Sequence, residues 1–308
     1  VVVVDDLSTG KLGRIGDVPC VRIDLAKDDS SARIADVIAA HGVTAVIHLA
    51  AKKQVGESVE HPAFYYRENV GGLANLLLGM EGTAVDRLVF SSSAAVYGSP
   101  ALPTVTEKNA TRPVNPYGET KLAGEWLLRD ATRSPGIRSL SLRYFNVAGA
   151  GWPDLGDCKP LNLLTLAIEA IERGEQPLIF GDDFPTPDGT GVRDYVHVMD
   201  LAAAHLVALD ALVGGLEHDV FNVGTGTGAS VREILDELRR ASGHDREPRV
   251  TPRRAGDPAA VVADVTRISQ ELGWRAERGL ADMVESAWAA HMHSRGAPAQ
   301  AAAAEEIE

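Results

Sequence analysis

Cysteine is nearly absent: 308 residues carry two, Cys20 and Cys158. Two thiols far apart cannot staple a chain of this length, so a disulfide framework is not expected, and low cysteine use suits a reducing cytoplasm. Neither has a Cys or His partner at ligand-like spacing, so no metal site is expected. Basic charge is also short. Thirty Lys and Arg face 43 Asp and Glu, for a formal net charge of -13. Such a surface repels a phosphate backbone on average, which argues against a nucleic-acid partner but not against a local basic spot for a phosphorylated metabolite. No apolar stretch approaches the roughly 18 residues of a membrane span. An opening turn region is missing too. The chain begins "VVVVDDLSTG", which reads as a buried strand already under way, so the natural N-terminus is expected to lie upstream.

What is present is a core and a rhythm. Hydrophobic residues make up 45% of the chain. Apolar runs recur at "VVVV", "CVRIDL" (20–25), "TAVIHLAA" (44–51), "RLVFSSSAAVYG" (87–98) and "IRSLSLRYFN" (137–146). Segments with helical spacing separate several of them: "SARIADVIAAHG" (31–42), "VGGLANLLLGM" (70–80) and "GETKLAGEWLLRDAT" (118–132). Strand alternating with helix predicts an α/β fold, a doubly wound parallel sheet with helices on both faces. The second half differs. A Pro-, Gly- and Asp-rich region (152–190) surrounds one helix, and "ASVREILDELRRAS" carries a capping box at Ser230 and Glu233. A smaller α/β C-terminal domain is expected, interleaved with the first. The expected boundaries are a cofactor domain over 1–146 with later contributions from about 192–224, a substrate domain over 147–191 and 225–296, and a flexible tail over 297–308.

Ligands of a doubly wound sheet bind at the C-terminal ends of its strands. Asp5 and Asp24 close two early runs and suit a ribose hydroxyl and an adenine amino group, with Leu25 beside the ring. Ala50 and Ala51 end the next run, where small side chains let the backbone approach a pyrophosphate, and Lys53 follows. Three serines follow "RLVF", where their hydroxyls are expected to face the ligand crevice; Ser93 is a candidate partner for a sugar hydroxyl or for Tyr117, or a helix cap. In "NPYGETKLAGEWL", Asn115 suits an N-cap and Pro116 the first helical position. Tyr117 and Lys121 then share a face, with Gly124 keeping it open for a cofactor. Such a pair is either an ordinary surface face or a phenol tuned by an ammonium; a tyrosine with pKa about 10 needs that help to act as a base near neutrality. Arg193 and Arg254, from separate segments, can bracket a diphosphate, and Phe180 can stack near a base. His48 and His197 read as structural, whereas His291 and His293 are expected to face water.

The stretches "VIHLAAKKQVGESVEHP", "FSSSAAVYG", "NPYGETKLAGE", "LRYFNVAGA", "DGTGVRDYVHVMDLAAAHL" and "FNVGTG" together resemble the extended short-chain dehydrogenase/reductases, and within them the UDP-glucose 4-epimerases, over residues 1 to about 290. The resemblance implies a Rossmann-like, N-terminally truncated cofactor domain that binds NAD, and reversible C4 epimerisation of UDP-glucose and UDP-galactose through a 4-keto intermediate. It implies Tyr117 as acid/base, Lys121 on the nicotinamide ribose and Ser93 as third catalytic residue. It places Asp5, Asp6, Asp24, Leu25, Leu49, Ala50, Ala51, Lys53, Asn69, Tyr117, Lys121 and Tyr144 around NAD. Ser93, Asn146, Asn162, Leu163, Phe180, Arg193, Arg254 and Asp257 fall around the UDP-sugar. Val261 falls at the position that gates N-acetylated sugars. It also implies a cytoplasmic homodimer, built through residues 69–80 and 117–130. Two departures stand out. The glycine-rich turn that takes the pyrophosphate falls before residue 1, so weak NAD binding is expected of the chain as it stands. The loop 150–161 is also shorter than the family's. A dehydratase would need an acid where Ser92, Ser93 and Ala94 stand. A uronate epimerase or decarboxylase fits "DGTGVRDYVHVMD" less well, and a non-catalytic sensor would not need Tyr117 and Lys121.

Overall fold

In the computed structural model, which describes residues 1–133, 136–157, 159–254 and 256–296, the apolar runs become strands and the helical-period segments helices. The first half runs β1 (Val3–Asp5), β2 (Cys20–Arg22), α1 (Ser30–His41), β3 (Val46–His48), α2 (Val55–Glu60), α3 (Pro62–Tyr65), α4 (Gly72–Met80), β4 (Arg87–Ser93), β5 (Thr104–Val105), α5 (Pro116–Arg133), β6 (Arg138–Tyr144) and β7 (Asn146–Ala148). The second half continues with α6 (Leu163–Glu172), β8 (Leu178–Phe180), β9 (Val192–Arg193), β10 (Tyr195–His197), α7 (Val198–Val213), β11 (His218–Val223), β12 (Ala229–Ser230), α8 (Val231–Ser242), β13 (Arg249–Thr251), β14 (Ala260–Ala263), α9 (Thr266–Leu272) and α10 (Leu280–Gly296). Cys158 and the tail 297–308 lie outside the described residues.

Local signals account for several boundaries. α1 stops at Gly42, whose φ of 59° lies in the left-handed region that a residue without Cβ adopts freely. α8 starts on a complete capping box: Ser230 Oγ accepts from Glu233 N at 3.0 Å, and Glu233 Oε2 accepts from Ser230 N at 2.7 Å. One helix departs from expectation. The segment read as continuous from residue 70 enters through a π-helical turn, Tyr66–Gly71, before α4 becomes regular.

Four parallel strands form the main sheet in the order β11-β6-β4-β3. β1 and β2 form a separate parallel pair, and no ladder joins β1 to β3 among the described residues. Both groups nevertheless share a core. Ile34, Leu73, Leu76, Leu88, Phe90 and Leu128 are buried together, with Val2, Val4, Val21 and Val46 packed against them. The other face of the main sheet buries Val89, Leu140 and Leu142 under α7 and α9. The period of two in β4 therefore sends Leu88 and Phe90 to α5 and Val89 to α7. A second sheet runs β12-β9-β14-β5, so β5 of the first half pairs with β14 of the second. Two further parallel pairs, β7 with β10 and β8 with β13, complete the interleaving. Among the described residues, no helix is long and apolar enough to cross a membrane.

The docking of α5 on β4 and β6 is polar at its centre. Arg143, on β6, donates from Nη2 and Nε to Glu125 at 2.6 and 2.9 Å, and Ser92, on β4, donates to the same carboxylate at 2.5 Å. The Arg143 and Glu125 side chains are 7% and 5% exposed. Arg143 Nη1 continues to Tyr97 Oη at 3.0 Å, which donates to Asn222 Oδ1 at 2.6 Å. Gly124 serves the same docking: a Cβ there would stand 2.7 Å from Phe90 Cζ. The expectation that Gly124 opens a face to a cofactor is thus corrected; its lack of a side chain lets the helix approach the sheet. Breaking a buried pair from one side leaves an unpaired charge and costs about 3–5 kcal/mol. Arg143→Met is therefore expected to lower stability by that order, and adding Glu125→Leu to recover most of it. Denaturant midpoints check this; a single variant within about 1 kcal/mol of the parent would show that the pair does not anchor the helix.

Candidate active site

α5 begins as its sequence requires. Asn115 Oδ1 accepts from Gly118 N at 2.9 Å, and Pro116 takes the first helical position. Tyr117, Lys121 and Glu125 follow one turn apart and all three are buried. They meet the three serines that end β4. Tyr117 lies beside Ser93, Lys121 Nζ donates to the Ser91 carbonyl at 2.7 Å, and Glu125 accepts from Ser92. Lys121 Nζ lies 5.1 Å from the Phe90 ring centre and 5.9 Å from that of Tyr117. Only Ser93 keeps partial exposure; Ser91 and Ser92 are fully buried. The expectation that all three hydroxyls face the crevice is corrected: alternation turns Ser91 to α7 and Ser92 to α5. Of its readings, the structure shows the cap: Ser93 Oγ accepts from Ala95 N at 3.2 Å.

Burial dominates the electrostatics here. It pushes the Tyr117 phenol well up, reinforced by Tyr144 and opposed by the Ser93 bond. It pushes Lys121 down to about 8. The expected phenolate is therefore not favoured by the ammonium alone in the ligand-free protein; desolvation outweighs it. His48, stacked on Phe90, is driven down to about 3 by burial and by Lys121, and stays neutral as a core residue.

At the other strand ends, Asp5 Oδ1 accepts from Leu7 N at 2.6 Å and Asp24 Oδ1 from Ala26 N at 3.0 Å. Each carboxylate uses one oxygen to close its own turn, and the other has no hydrogen-bond partner among the described residues. Asp6 accepts from Ser8 N and Ser8 Oγ, and lies 3.6 Å from Lys52 Nζ. Burial opposes its ionisation, but the Ser8 bonds and Lys52 prevail and hold it below the usual carboxylate range. Lys52 also donates to Ser8 Oγ at 3.1 Å. Lys52 thus joins the β3 and β1 ends, whereas the expected Lys53 is exposed. The doubled lysine in "AAKKQ" was the only signal for it. Asn69 is buried and largely occupied: its Oδ1 accepts from Lys52 N, and its Nδ2 donates to Lys52 O and to Thr120 Oγ1. It ties the loop after β3 to α5. Leu25 packs on Gly72, where a Cβ would stand 3.2 Å away. Leu49 and Ala50 are exposed, Ala51 is half-buried, and Tyr144 is half-buried beside His205. Two free strand-end oxygens beside small, open backbone suit the adenosine side of a dinucleotide.

The second-half residues converge less tightly. Arg193 Nη2 lies 3.4 Å from Asp257 Oδ1 and its Nη1 donates to Val192 O. The Arg254 guanidinium stacks 3.8 Å from the Phe180 ring centre, so one expected phosphate clamp covers the expected base platform. Neighbouring Arg253 stacks on Phe184 in the same way, at 4.0 Å. Asn146 is exposed at the start of β7. Asn162 caps α6 and donates to Asp157 at 3.2 Å, with half-buried Leu163 next to it. Val261 is buried with Tyr97, Leu122 and Phe145. Sequence reasoning missed Asp194, a buried carboxylate that accepts from Thr225, Gly226 and Ala263 amides and holds the glycine turn after β11. His197 is structural: its Nδ1 accepts from Met199 N. His291 departs from expectation, because it stacks on Trp288 and lies 2.9 Å from Glu172 rather than facing water. No cluster of metal-ligating side chains occurs among the described residues.

A parallel sheet, strand-end acids and a buried Tyr-Lys-Ser group define a nucleotide-dependent enzyme class, and the chain belongs to the NAD dependent epimerase/dehydratase family, whose model matches residues 1–224. More particularly, it is 41% identical over 293 residues to the UDP-glucose 4-epimerase of Corynebacterium glutamicum, covering 94% of this chain and 87% of that protein. Among solved structures, the UDP-glucose-4-epimerase of Stenotrophomonas maltophila with bound NAD and formylated UDP-arabinopyranose matches with a TM-score of 0.89 at 38% identity, over 96% of this chain and 92% of that one. The UDP-glucose 4-epimerase of Brucella ovis in complex with NAD matches with a TM-score of 0.88 at 39% identity, over 93% and 89%.

Lys121 should cost the ligand-free protein stability. Its folded value of about 8 lies below an unfolded value near 10.4, so the unfolded chain binds the proton more tightly. The cost is complete below pH 8 and recedes as pH rises from about 8 to about 10.4. Lys121→Met also loses the bond to Ser91 O, so the net gain expected at pH 7 is about 1–2 kcal/mol, shrinking towards pH 10.4. Denaturation of the ligand-free protein at both pH values checks it; a variant less stable than the parent at pH 7 would mean that the hydrogen bond outweighs the burial.

Proposed function

We propose that this chain interconverts UDP-glucose and UDP-galactose at C4, holding NAD as a prosthetic group. The observation that carries this is the buried group at the α5–β4 seam: Tyr117 beside Ser93, with Lys121 one turn along and docked on the Ser91 carbonyl. Tyr117 Oη takes the proton of the sugar O4 as the C4–O4 bond becomes a carbonyl, and Ser93 Oγ holds the same oxygen in line. When bound, NAD would supply the hydride acceptor and donor at C4. Tyr117 then gives its proton back to O4, so the electrons balance with no net redox. Burial keeps the phenol protonated in the ligand-free protein, and a cationic ring beside it is what favours the phenolate. Lys121 orients the nicotinamide ribose and adds charge of the same sign.

Residues 1–146 with 192–224 serve the cofactor in this proposal, through Asp5, Asp6, Asp24, Leu25, Leu49, Ala50, Ala51, Lys53, Asn69 and Tyr144. Residues 147–191 and 225–296 serve the UDP-sugar. Arg193 and Arg254 clamp the diphosphate, which requires Arg254 to leave Phe180 and frees that ring for uracil. Asp257, released from Arg193, is then open to a ribose hydroxyl, and Asn146, Asn162 and Leu163 line the sugar side. A dehydratase is disfavoured because the acid nearest the β4 hydroxyls, Glu125, is locked by Arg143. Val261, of modest size, leaves room for UDP-N-acetylhexosamines as a second substrate class. The working compartment is the cytoplasm.

Removing only the ionisable hydroxyl, Tyr117→Phe should lower UDP-galactose turnover by about 10²–10⁴-fold, with bound NAD unchanged. Retention of more than half the parent rate by a folded, NAD-loaded variant would remove Tyr117 as the base. The oligomer is a homodimer packed through α4 and α5, where Leu78 and Trp126 are 55% and 51% exposed. Sedimentation of the NAD-loaded protein should show a dimer that Trp126→Glu with Leu78→Asp dissociates. A parent that sediments as a monomer at micromolar concentration would refute the interface.

A further inference from the structure

Ser91 joins helices from both faces of the sheet. The β3–β4 ladder ends at the His48–Phe90 pair, one residue before it, so β3 no longer holds this part of β4. Its carbonyl receives Lys121 Nζ from α5. Its hydroxyl lies 3.0 Å from His205 Nε2 on α7. His205 Nδ1 lies 2.9 Å from Leu201 O. A carbonyl only accepts, so Nδ1 carries the proton. Burial pushes His205 down and keeps it neutral, which leaves Nε2 as an acceptor and directs the Ser91 hydroxyl proton towards it. Ser91, Lys121, Leu201 and His205 are buried, and the proposed mechanism gives His205 no part.

We propose that His205 is a positioning residue for Lys121: from the far face of the sheet it fixes the Ser91 peptide on which the ammonium docks. The inference rests on Lys121 belonging to the reacting group. The geometry is a relay, α7 to β4 to α5, in which each contact is a hydrogen bond of 3.0 Å or less. Loss of the imidazole leaves the Ser91 hydroxyl without its histidine acceptor, and the peptide beneath Lys121 keeps only its β6 ladder at Leu142 as support.

The test compares NAD-loaded parent, His205→Phe, His205→Gln and Ser91→Ala, each also combined with Lys121→Met. His205→Phe and Ser91→Ala should each lower kcat roughly tenfold while KM for UDP-galactose stays within about twofold, as expected when a buried hydrogen bond acts on the reacting group and not on binding. His205→Gln, which keeps an acceptor in reach of Ser91, should recover most of the loss. Neither change should lower turnover further once Lys121 is Met, because pathways that act through one residue are not additive. Equal losses in both backgrounds would overturn the proposal. Side-chain NMR of lysine in the ligand-free protein supplies a second readout: His205→Phe or Ser91→Ala should move the Lys121 titration by about half a pH unit or more, and an unmoved titration overturns the proposal. If Lys121→Met keeps the parent rate, the catalytic reading of the site fails instead, and the titration alone decides whether His205 positions Lys121.

Discussion

Glu125 and Arg143 meet across the seam between α5 and the β4–β6 part of the sheet, and that contact places the side chains proposed to react. Tyr117, Lys121 and Glu125 stand at successive turns of α5, so fixing the third fixes the height and rotation of the first two. Arg143 holds the carboxylate from β6 and Ser92 holds it from β4. A buried ion pair of this kind is a costly way to stabilise a helix, since apolar residues of similar size would pack as well. Its value lies in register: an apolar seam tolerates sliding, whereas forked hydrogen bonds do not. Gly124 brings the backbones close enough for the pair to reach.

The same burial that fixes geometry suppresses charge. The ligand-free site keeps a protonated phenol and a weakened ammonium, with a neutral histidine nearby. Such a site is quiet until a cation arrives. That behaviour fits the proposed mechanism, in which proton transfer accompanies hydride transfer. The stability sacrificed at Lys121 is modest beside the two cores that flank the sheet, which bury a continuous set of aliphatic side chains on each face.

The substrate side is arranged differently. Its arginines are satisfied by surrogate partners, Asp257 for Arg193 and the Phe180 ring for Arg254. Both contacts are partly exposed, and exposed pairs are worth little, so a ligand can displace them at small cost. The proposed reacting group is buried, while the arginines proposed to grip the nucleotide rest on partly exposed neighbours.

The order of elements followed from periodicity, because strands and helices bury alternate or every third and fourth residue whatever lies elsewhere in the chain. The caps at Asn115 and Ser230, the stop at Gly42 and the shared face of Tyr117 and Lys121 are local for the same reason. Family motifs carried the choice of activity further than composition could. Contacts between distant segments were not legible. Nothing near "YGETKLAGE" announced that Glu125 would meet Arg143, that Gly124 would press on Phe90, or that two of three adjacent serines would turn away from the crevice. Lys52 and Lys53 are chemically equal neighbours, and only the position of Asp6 decided between them. His205 reads as one more residue of an alanine-rich helix until β4 passes beneath it. Sequence alone thus determined which segments are strands and helices and which residue types stand at strand ends, since those depend on neighbours along the chain. Tertiary structure decided which side chains are desolvated and what they touch, and with that their charge, because burial and partner are properties of residues far apart in sequence.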